Sequence, residues 1–159
     1  MKLNILNDLF IKQKIQDMNI CQFSYISVGY QQHPSSDIFG YFTNDAWMYR
    51  YCLEKLYCFD PLLEAGDRLR GQPIPWNSLT LITKKKASVM NLRYELAQVC
   101  TGMTLCTTTS TGVKRVLAIG DTCHEYTFLE KYQNAFTTFK SLCVDLDTYV
   151  EEKYLCERK

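Results

Sequence analysis

The chain has 159 residues, of which 47% are hydrophobic and 22% are charged, and its formal net charge is +1. This length predicts one globular domain, and the near-neutral charge argues against binding of nucleic acid through a general basic surface. The eight cysteines include no C-x-x-C pair. Polar residues interrupt the apolar pattern of the N-terminus, so this segment lacks the hydrophobic region of a signal peptide. We expect a cytoplasmic protein with reduced cysteines, no metal site, no cofactor and no membrane span.

The first third of the chain predicts a helix followed by two strands. Apolar residues recur at helical spacing over residues 3–18, which is typical of an amphipathic helix. Aromatic and β-branched residues then favour a strand over residues 21–30, and the segment "IFGYFT" favours a second, shorter strand. The polar stretch "QQHPSSD" between them is typical of a loop.

An Asp-Pro pair marks the boundary between two predicted helices. Asn44 can cap the first of them, which should run to about Phe59 because Pro61 disfavours helical geometry at Asp60. The same pair can begin the next helix, with Asp60 as its N-cap and Pro61 in its first turn. The turn-rich segment "RGQPIP" then leads to Trp76.

The second half of the chain predicts two helices on either side of a β-hairpin. Residues 84–99 have a helical pattern, with an inner face formed by Val89, Leu92, Leu96 and Val99. Residues 102–120 favour two strands joined by a turn at 110–112. This alternation of helices and strands indicates an antiparallel sheet between helical layers.

The last predicted helix is the longest in the chain. Thr122 and Glu125 have the spacing of a capping box, which would begin the helix and satisfy its first N–H groups. The helix should bury one apolar stripe against the sheet. The residues of this stripe are Phe128, Tyr132, Phe136, Phe139, Cys143, Leu146 and Val150.

Four side chains that are distant in sequence could form one binding site. Trp47 and Tyr51 are four residues apart, so they share one face of a helix. Asp60 lies at the corner that follows this helix, and Trp76 follows the proline-rich link. If the four converge, they form an aromatic box that contains one carboxylate.

Such an aromatic box suits a ligand that has an apolar tail and an amide group. The indole N–H of Trp47 can only donate a hydrogen bond, and the ionised carboxylate of Asp60 can only accept one. The aromatic walls would contribute affinity through buried apolar area. A simpler alternative stays open for each residue, because helical aromatic pairs are usually core residues and Asp before Pro is a common N-cap.

The spacing W-x3-Y-x8-D-P, followed by a proline-flanked tryptophan in "PIPW", resembles the ligand-binding domain of LuxR-type quorum-sensing regulators. Gly102 and Gly112 resemble glycines of the later hairpin in that family, and the resemblance runs from about Phe23 to the last helix. It implies an α/β/α sandwich of PAS/GAF-like type over residues 1–159, without enzymatic activity. It also implies a bacterial signal receptor that binds an N-acyl-homoserine lactone, or a related acyl amide, and couples occupancy to folding and dimerisation.

The resemblance assigns roles to individual residues. Trp47 would donate to the lactone carbonyl, and Asp60 would accept the amide N–H of the ligand. Tyr51 and Trp76 would line the acyl and ring ends of the cavity. Further contacts to the ligand are expected from Tyr41, Leu62 and Gly102.

Three positions depart from the family pattern. Thr43 stands where the family commonly has a tyrosine that bonds an acyl carbonyl. Ala118 stands where many members have a Ser or Thr that faces the ligand, and Cys106 replaces a proline after the first hairpin glycine. Thr43 and Ala118 remain candidate contacts, but the loss of two polar groups leaves the acyl chain and the ligand class open.

Family regulators continue into a helix-turn-helix DNA-binding domain, whereas this sequence stops at Lys159, near the expected linker. We therefore expect DNA contact only through a domain outside these residues, and a homodimer or a heterodimer with a related regulator. A second hypothesis is an interaction protein of the same fold whose cavity is filled by its own side chains, such as Trp76 or Phe42, and which modulates a full-length regulator or sequesters signal. An enzyme such as a lactone hydrolase would need a nucleophile–base pair or a metal cluster, and neither is evident in the sequence.

Overall fold

An antiparallel sheet lies between two layers of helices, as the sequence predicts, and it has five strands. The computed structural model describes residues 8–19, 21–33, 36, 38–80 and 83–155. The α-helices are Leu9–Met18 (α1), Asp45–Leu53 (α2), Pro61–Arg68 (α3), Lys84–Ala97 (α4) and Glu125–Val150 (α5). The strands are Tyr25–Gln31 (β1), Phe39–Phe42 (β2), Ile74–Pro75 (β3), Thr101–Thr108 (β4) and Lys114–Asp121 (β5). Short 3₁₀ turns occupy Leu56–Phe59 and Trp76–Ser78, and a π turn at Glu151–Leu155 follows α5.

The strand order across the sheet is β2-β1-β5-β4-β3, and all neighbouring strands are antiparallel. The register aligns Ser27 of β1 with Ala118 of β5, and Ala118 in turn with Thr104 of β4. Since residues in register on antiparallel strands point to the same face, these three small side chains form one row across the sheet. The row leaves space above the centre of that face for larger side chains from the helices.

The two faces of the sheet bury separate apolar cores. One core packs α1 and α5 against alternate strand residues such as Ile26, Leu117 and Ile119. The other core packs α2, α3 and α4 against residues of the opposite parity, among them Tyr25 and Ala118. This alternation is the period-2 pattern of strands that are covered on both faces.

Two helix boundaries in the first half of the chain, the start of α1 and the end of α2, differ from the prediction. The first helix begins at Leu9, where the side chain of Asp8 accepts hydrogen bonds from two backbone N–H groups, and residues 1–7 lie outside the described part. The predicted helix from Asn44 to Phe59 is broken, because Lys55 has a left-handed backbone with φ of 52° that ends α2 before the following 3₁₀ turn. The third strand was not predicted, since it has only two residues and one is proline.

The predicted start of the last helix is wrong. His124, not Thr122, is the N-cap of α5, and no side chain caps the helix there. The carboxylate of Asp121 accepts the backbone N–H of Thr122 instead, and the chain bends at Thr122 and Cys123 before the helix begins. The predicted inner stripe is buried except for Phe136, which is 43% exposed.

Candidate ligand cavity

The three aromatic residues predicted for the box lie together on the α2–α4 side of the sheet. The rings of Trp47 and Tyr51 are 5.0 Å apart between centroids, and both side chains are buried. Asn44 orients them, because its side chain accepts the backbone N–H of Trp47 at 2.8 Å and thereby begins α2. Trp76 follows β3, and its indole N–H donates to the hydroxyl of Thr104 at 2.8 Å.

The indole ring of Trp76 packs directly against the backbone of Gly102. A Cβ atom at Gly102 would lie 2.4 Å from the indole ring of Trp76, a separation that side chains do not adopt. The absence of a side chain at this position therefore allows the tryptophan to lie flat on β4. Gly102 acts by packing and is not among the residues that line the cavity.

Asp60 points into the box and also caps α3. Its Oδ1 accepts the backbone N–H of Leu62 at 3.0 Å, so the predicted N-cap is confirmed. Its Oδ2 accepts the hydroxyl of Tyr51 at 2.7 Å. The side chain of Asp60 is only 2% exposed, so the capping role and the inward orientation occur together.

Arg93 of α4 occupies the centre of the box. Its Nη2 donates to Oδ2 of Asp60 at 2.5 Å and its Nη1 to Oδ1 at 3.3 Å, which is a paired, side-on arrangement. Its guanidinium carbon lies 5.0 Å from the ring centroid of Trp47, 5.6 Å from that of Trp76 and 5.8 Å from that of Tyr51. The box thus surrounds a cation that belongs to the chain itself, at distances typical of cation–π contacts.

The electrostatics of the box keep its phenols protonated. Burial, together with the negative charge of Asp60, raises the pKa of Tyr51 well above its ordinary value. Burial also raises the pKa of Tyr25 to about 12, although the charge of Arg93 and hydrogen bonds with Ser27 and Trp47 oppose the rise. Both phenols can therefore donate hydrogen bonds at any physiological pH.

The side chains leave little empty space inside the box. The cavity that remains between them has a volume of about 30 Å³, which is about the space of a water molecule. A cavity for a drug-sized ligand measures about 300–1,000 Å³. The lining residues include Tyr25, Ser27, Phe42, Trp47, Tyr51, Asp60, Leu62, Arg93, Thr104 and Ala118.

Solved structures of LuxR-type regulators are similar to this chain in fold. The VqsR LBD domain from Pseudomonas aeruginosa aligns with a TM-score of 0.62 and 13% identity, over 89% of this chain and 86% of that one. The LuxR-family factor CepR2 from Burkholderia cenocepacia aligns at 0.56 and 14%, over 89% and 79%. SdiA from Escherichia coli aligns at 0.58 and 11%, over 88% and 65%. The chain has the fold of a LuxR-type ligand-binding domain. No family model and no curated protein matches the sequence.

Within the LuxR-type fold, the other sequence-predicted contacts divide into two groups. Leu62 and Ala118 line the cavity. Tyr41 packs with the core on the opposite face of the sheet. Thr43 is exposed, and its hydroxyl accepts the backbone N–H of Ile26 at 3.0 Å. The structure therefore does not bring Tyr41 or Thr43 to the cavity. The register of β2 pairs Tyr41 with Val28, which belongs to the core on the opposite face, and the bond to Ile26 holds the side chain of Thr43 at the end of the strand.

The sequence pattern does not identify Arg93, the residue that fills the box. The prediction placed Val89, Leu92, Leu96 and Val99 on the inner face of α4, whereas the buried residues are Val89, Met90, Arg93 and Ala97. A charged residue is rarely fully buried unless it is paired, so an apolar pattern assigns it to solvent. The available signal was the spacing of four residues that separates Arg93 from both Val89 and Ala97.

An outer cleft lies next to the box. Its volume is about 670 Å³, and it shares Asp60 and Leu63 with the small cavity of the box. Charged side chains of both signs line it, including Lys55, Glu64 and Asp67. Asp60 therefore lies between the box and this cleft.

The described part of the chain contains neither a membrane-spanning helix nor a cluster of metal-binding side chains. None of its helices combines the length with the apolar character needed to cross a lipid bilayer. Nor do three or more His, Cys, Asp or Glu side chains of this part gather where they could hold a metal ion.

Proposed function

We propose that this chain is a LuxR-type regulatory domain that folds with its own arginine in place of a signal molecule and acts through contacts with a related transcription regulator. The observation that carries the proposal is the position of Arg93, which is 3% exposed and paired with Asp60 inside the aromatic box. Such a domain needs no ligand to complete its core. Its regulatory output would come from a dimer with a second copy or with a relative that binds DNA.

Arg93 supplies the chemistry that a ligand amide would otherwise bring to the box. Asp60 requires hydrogen-bond donors because it is ionised and buried, and Arg93 and Tyr51 provide them. The rings of Trp47 and Trp76 require a partner that covers their faces, and the guanidinium lies over both. Arg93 thus donates hydrogen bonds to Asp60 and also covers the faces of the two tryptophan rings.

A free-energy estimate shows how strongly this arrangement opposes a ligand. Removing one partner of a buried ion pair costs about 3–5 kcal/mol. A ligand that displaced Arg93 from Asp60 would have to offset that cost, which lowers its affinity by roughly two to four orders of magnitude. A cavity of about 30 Å³ offers no space for a homoserine lactone while Arg93 stays in place.

The second candidate is reception of an N-acyl-homoserine lactone, and the convergence of Trp47, Tyr51, Asp60 and Trp76 supports it. CepR2, one of the structural neighbours, is described as dependent on N-acylhomoserine lactone. In this account Arg93 leaves the box for the outer cleft, where Glu64 and Asp67 can pair with it. Trp47 would then donate to the lactone carbonyl, and Asp60 would accept the amide N–H.

Organic extraction followed by mass spectrometry, combined with thermal unfolding, distinguishes the two candidates. The protein would be produced with and without a panel of acyl-homoserine lactones, with CepR2 as the positive control. We expect soluble protein in both cases, no lactone in the extract and no rise in Tm. A stoichiometric lactone, with the rise in Tm that ligand binding to the native state causes, would establish the second candidate instead.

The variant Arg93→Ser provides a matched test of the same point. It removes the guanidinium, leaves Asp60 without its ionic partner and opens space between the aromatic rings. We expect the variant to be less stable than the parent and to gain a lactone-dependent Tm that the parent lacks. Equal responses of parent and variant to the lactone panel would show that Arg93 does not occupy the ligand position.

A further inference from the structure

A groove lies on the face of the sheet opposite the aromatic box, between α5 and the strands β4 and β5. Its volume is about 470 Å³, which is within the range of sites for small molecules. The apolar side chains that line it are Leu105, Leu117, Tyr132, Phe136, Phe139 and Val144. Because the two sites are on different faces, the groove is independent of what occupies the box.

The groove exists because α5 does not cover the whole outer face of β4. Leu105 and Leu117 are in register on β4 and β5, yet Leu117 is buried under the helix and Leu105 is only half-buried. Phe136 and Val144 are two helical turns apart on α5 and are 43% and 60% exposed. This wall of large apolar groups gains free energy when an apolar chain covers it.

The polar part of the groove is cationic and is built from buried groups. Arg115 is 9% exposed and pairs with Asp147 at 2.5 Å, and Tyr30 donates to the other oxygen of that carboxylate at 2.8 Å. A guanidinium has five N–H donors, and the Nε of Arg115, like the hydroxyl of Thr107 opposite it on β4, has no hydrogen-bond partner among the described residues. Lys140 adds an exposed ammonium to the lining.

The charges of the groove define the ligand class. Asp147 neutralises one of the two cations, Arg115 and Lys140, so the lining keeps a net charge of +1. An aliphatic chain matches the apolar wall, and a carboxylate matches the remaining cation and the guanidinium fork. We propose that this groove binds a free medium-chain carboxylic acid, with the chain along Phe136 and Val144 and the carboxylate at Arg115 and Lys140.

Isothermal titration calorimetry with decanoate below its micellar concentration tests this proposal on the full chain. We expect saturable binding at one site, and binding of decyltrimethylammonium that is weaker by about tenfold or more, because the groove repels a cationic head. Absence of saturable decanoate binding, or equal binding of the two amphiphiles, would overturn the proposal.

Two charge variants on α5 locate the site. Val144→Glu places a carboxylate in the groove, and it should weaken decanoate binding by about tenfold or more through like-charge repulsion. Ser141→Glu adds the same charge to the same helix at an exposed position outside the groove lining, and it should bind decanoate as the parent does. Unchanged binding by Val144→Glu would place the ligand elsewhere and overturn the assignment.

Sedimentation velocity addresses the remaining occupant, a second copy of the chain. If the groove binds a small carboxylate, Val144→Glu should self-associate to the same extent as the parent. If Val144→Glu dissociates a parent dimer and decanoate has no effect on either protein, the groove is an interface between copies and the carboxylate proposal is wrong.

Discussion

At the scale of single residues, Asp60 is the most heavily bonded acceptor of the aromatic box. It receives hydrogen bonds from the backbone of Leu62, the phenol of Tyr51 and two nitrogens of Arg93. Each donor has a different origin in sequence, since the first belongs to the helix that Asp60 caps and the other two come from α2 and α4. A buried carboxylate is stable only with such partners, so the three contacts explain how Asp60 can be charged and 4% exposed.

The variant Tyr51→Phe tests the phenol contact. It removes a hydrogen bond to a charged acceptor at 2.7 Å, which should lower the free energy of unfolding by about 1.5–3 kcal/mol. Urea unfolding followed by circular dichroism measures the change. Tyr49→Phe is the matched control, because Tyr49 is on the same helix but 64% exposed, and it should change stability by less than about 0.5 kcal/mol. Equal effects of the two variants would mean that the contact with Asp60 adds no stability.

Residue patterns predicted the convergence of the box but not its occupant. Helical spacing and a proline corner determine the directions of Trp47, Tyr51 and Asp60 locally, whereas Trp76 reaches them by packing on β4. The burial of Arg93 depends on tertiary pairing with Asp60, which is 33 residues away. The spacing of Arg93 from Val89 and Ala97 places it on their face of α4, but an unpaired arginine would face water, so the pairing itself cannot be predicted from the helix alone.

At the scale of elements, Asp8 joins the start of α1 to the end of α5. Its Oδ1 accepts backbone N–H groups as the N-cap of α1, and its Oδ2 accepts the hydroxyls of Tyr149 and Tyr154 and the ammonium of Lys153. Burial opposes the charge of Asp8, but the hydrogen bonds from Lys153, Tyr154 and Tyr149 outweigh it and lower the pKa of Asp8 well below its ordinary value. The protonation of one carboxylate therefore affects the contact between two helices.

The variant Asp8→Ala should destabilise the protein in a pH-dependent way. Loss of the cap and of hydrogen bonds to a charged group should cost about 2.5–4 kcal/mol at neutral pH. Because the folded-state pKa is depressed, the stabilisation is fully present above the ordinary value of about 3.9 and is lost progressively as pH falls from that value through the lowered pKa of the folded state. Unfolding measured between neutral pH and pH 3 should show the difference between the parent and the variant constant down to about pH 5 and narrowing below about pH 4.

Asp17→Ala provides the control for the pH series. Asp17 lies on the same helix as an exposed carboxylate, so its loss should change stability little at any pH. A difference between parent and Asp8→Ala that stays constant from neutral to acid pH would contradict the proposed contact between the helices.

Local rules predicted the elements whose start or end has a clear sequence signal and failed where that signal is missing or where a neighbouring side chain competes with it. The Asp60 cap and Pro61 start α3 as expected, because both features are satisfied within one turn. The break at Lys55 was missed, since a lysine with positive φ carries no sequence signal comparable to glycine. The supposed capping box at Thr122 failed because Asp121 competes for the same backbone N–H.

At the scale of the whole molecule, the two faces of the sheet bury cores of different composition. The α1 and α5 face buries a mainly apolar core, whereas the α2–α4 face encloses the ion pair of Arg93 and Asp60 within aromatic rings. The order of helices and strands was predictable, because hydrophobic periodicity determines each element and two covered faces require a three-layer fold. The ion pair on the α2–α4 face was not predictable, since it depends on which side of α4 packs against the sheet.

The proposed function depends on one interaction, the binding of Asp60 by Arg93 inside the aromatic box. A double-mutant cycle on this pair isolates its energy from all other contacts. Asp60→Asn keeps the cap of α3, and Arg93→Met keeps the length and apolar body of the side chain. Each single variant leaves one charge buried alone and should cost about 3–5 kcal/mol.

The decisive measurement is the coupling energy of this cycle from urea unfolding of the parent, the two single variants and the double variant. The account predicts that the double variant is far more stable than the sum of the single effects implies, with a coupling of at least about 2 kcal/mol. Single effects that add to within about 0.5 kcal/mol would show that the two residues do not interact, and would contradict a box occupied by the arginine of the chain.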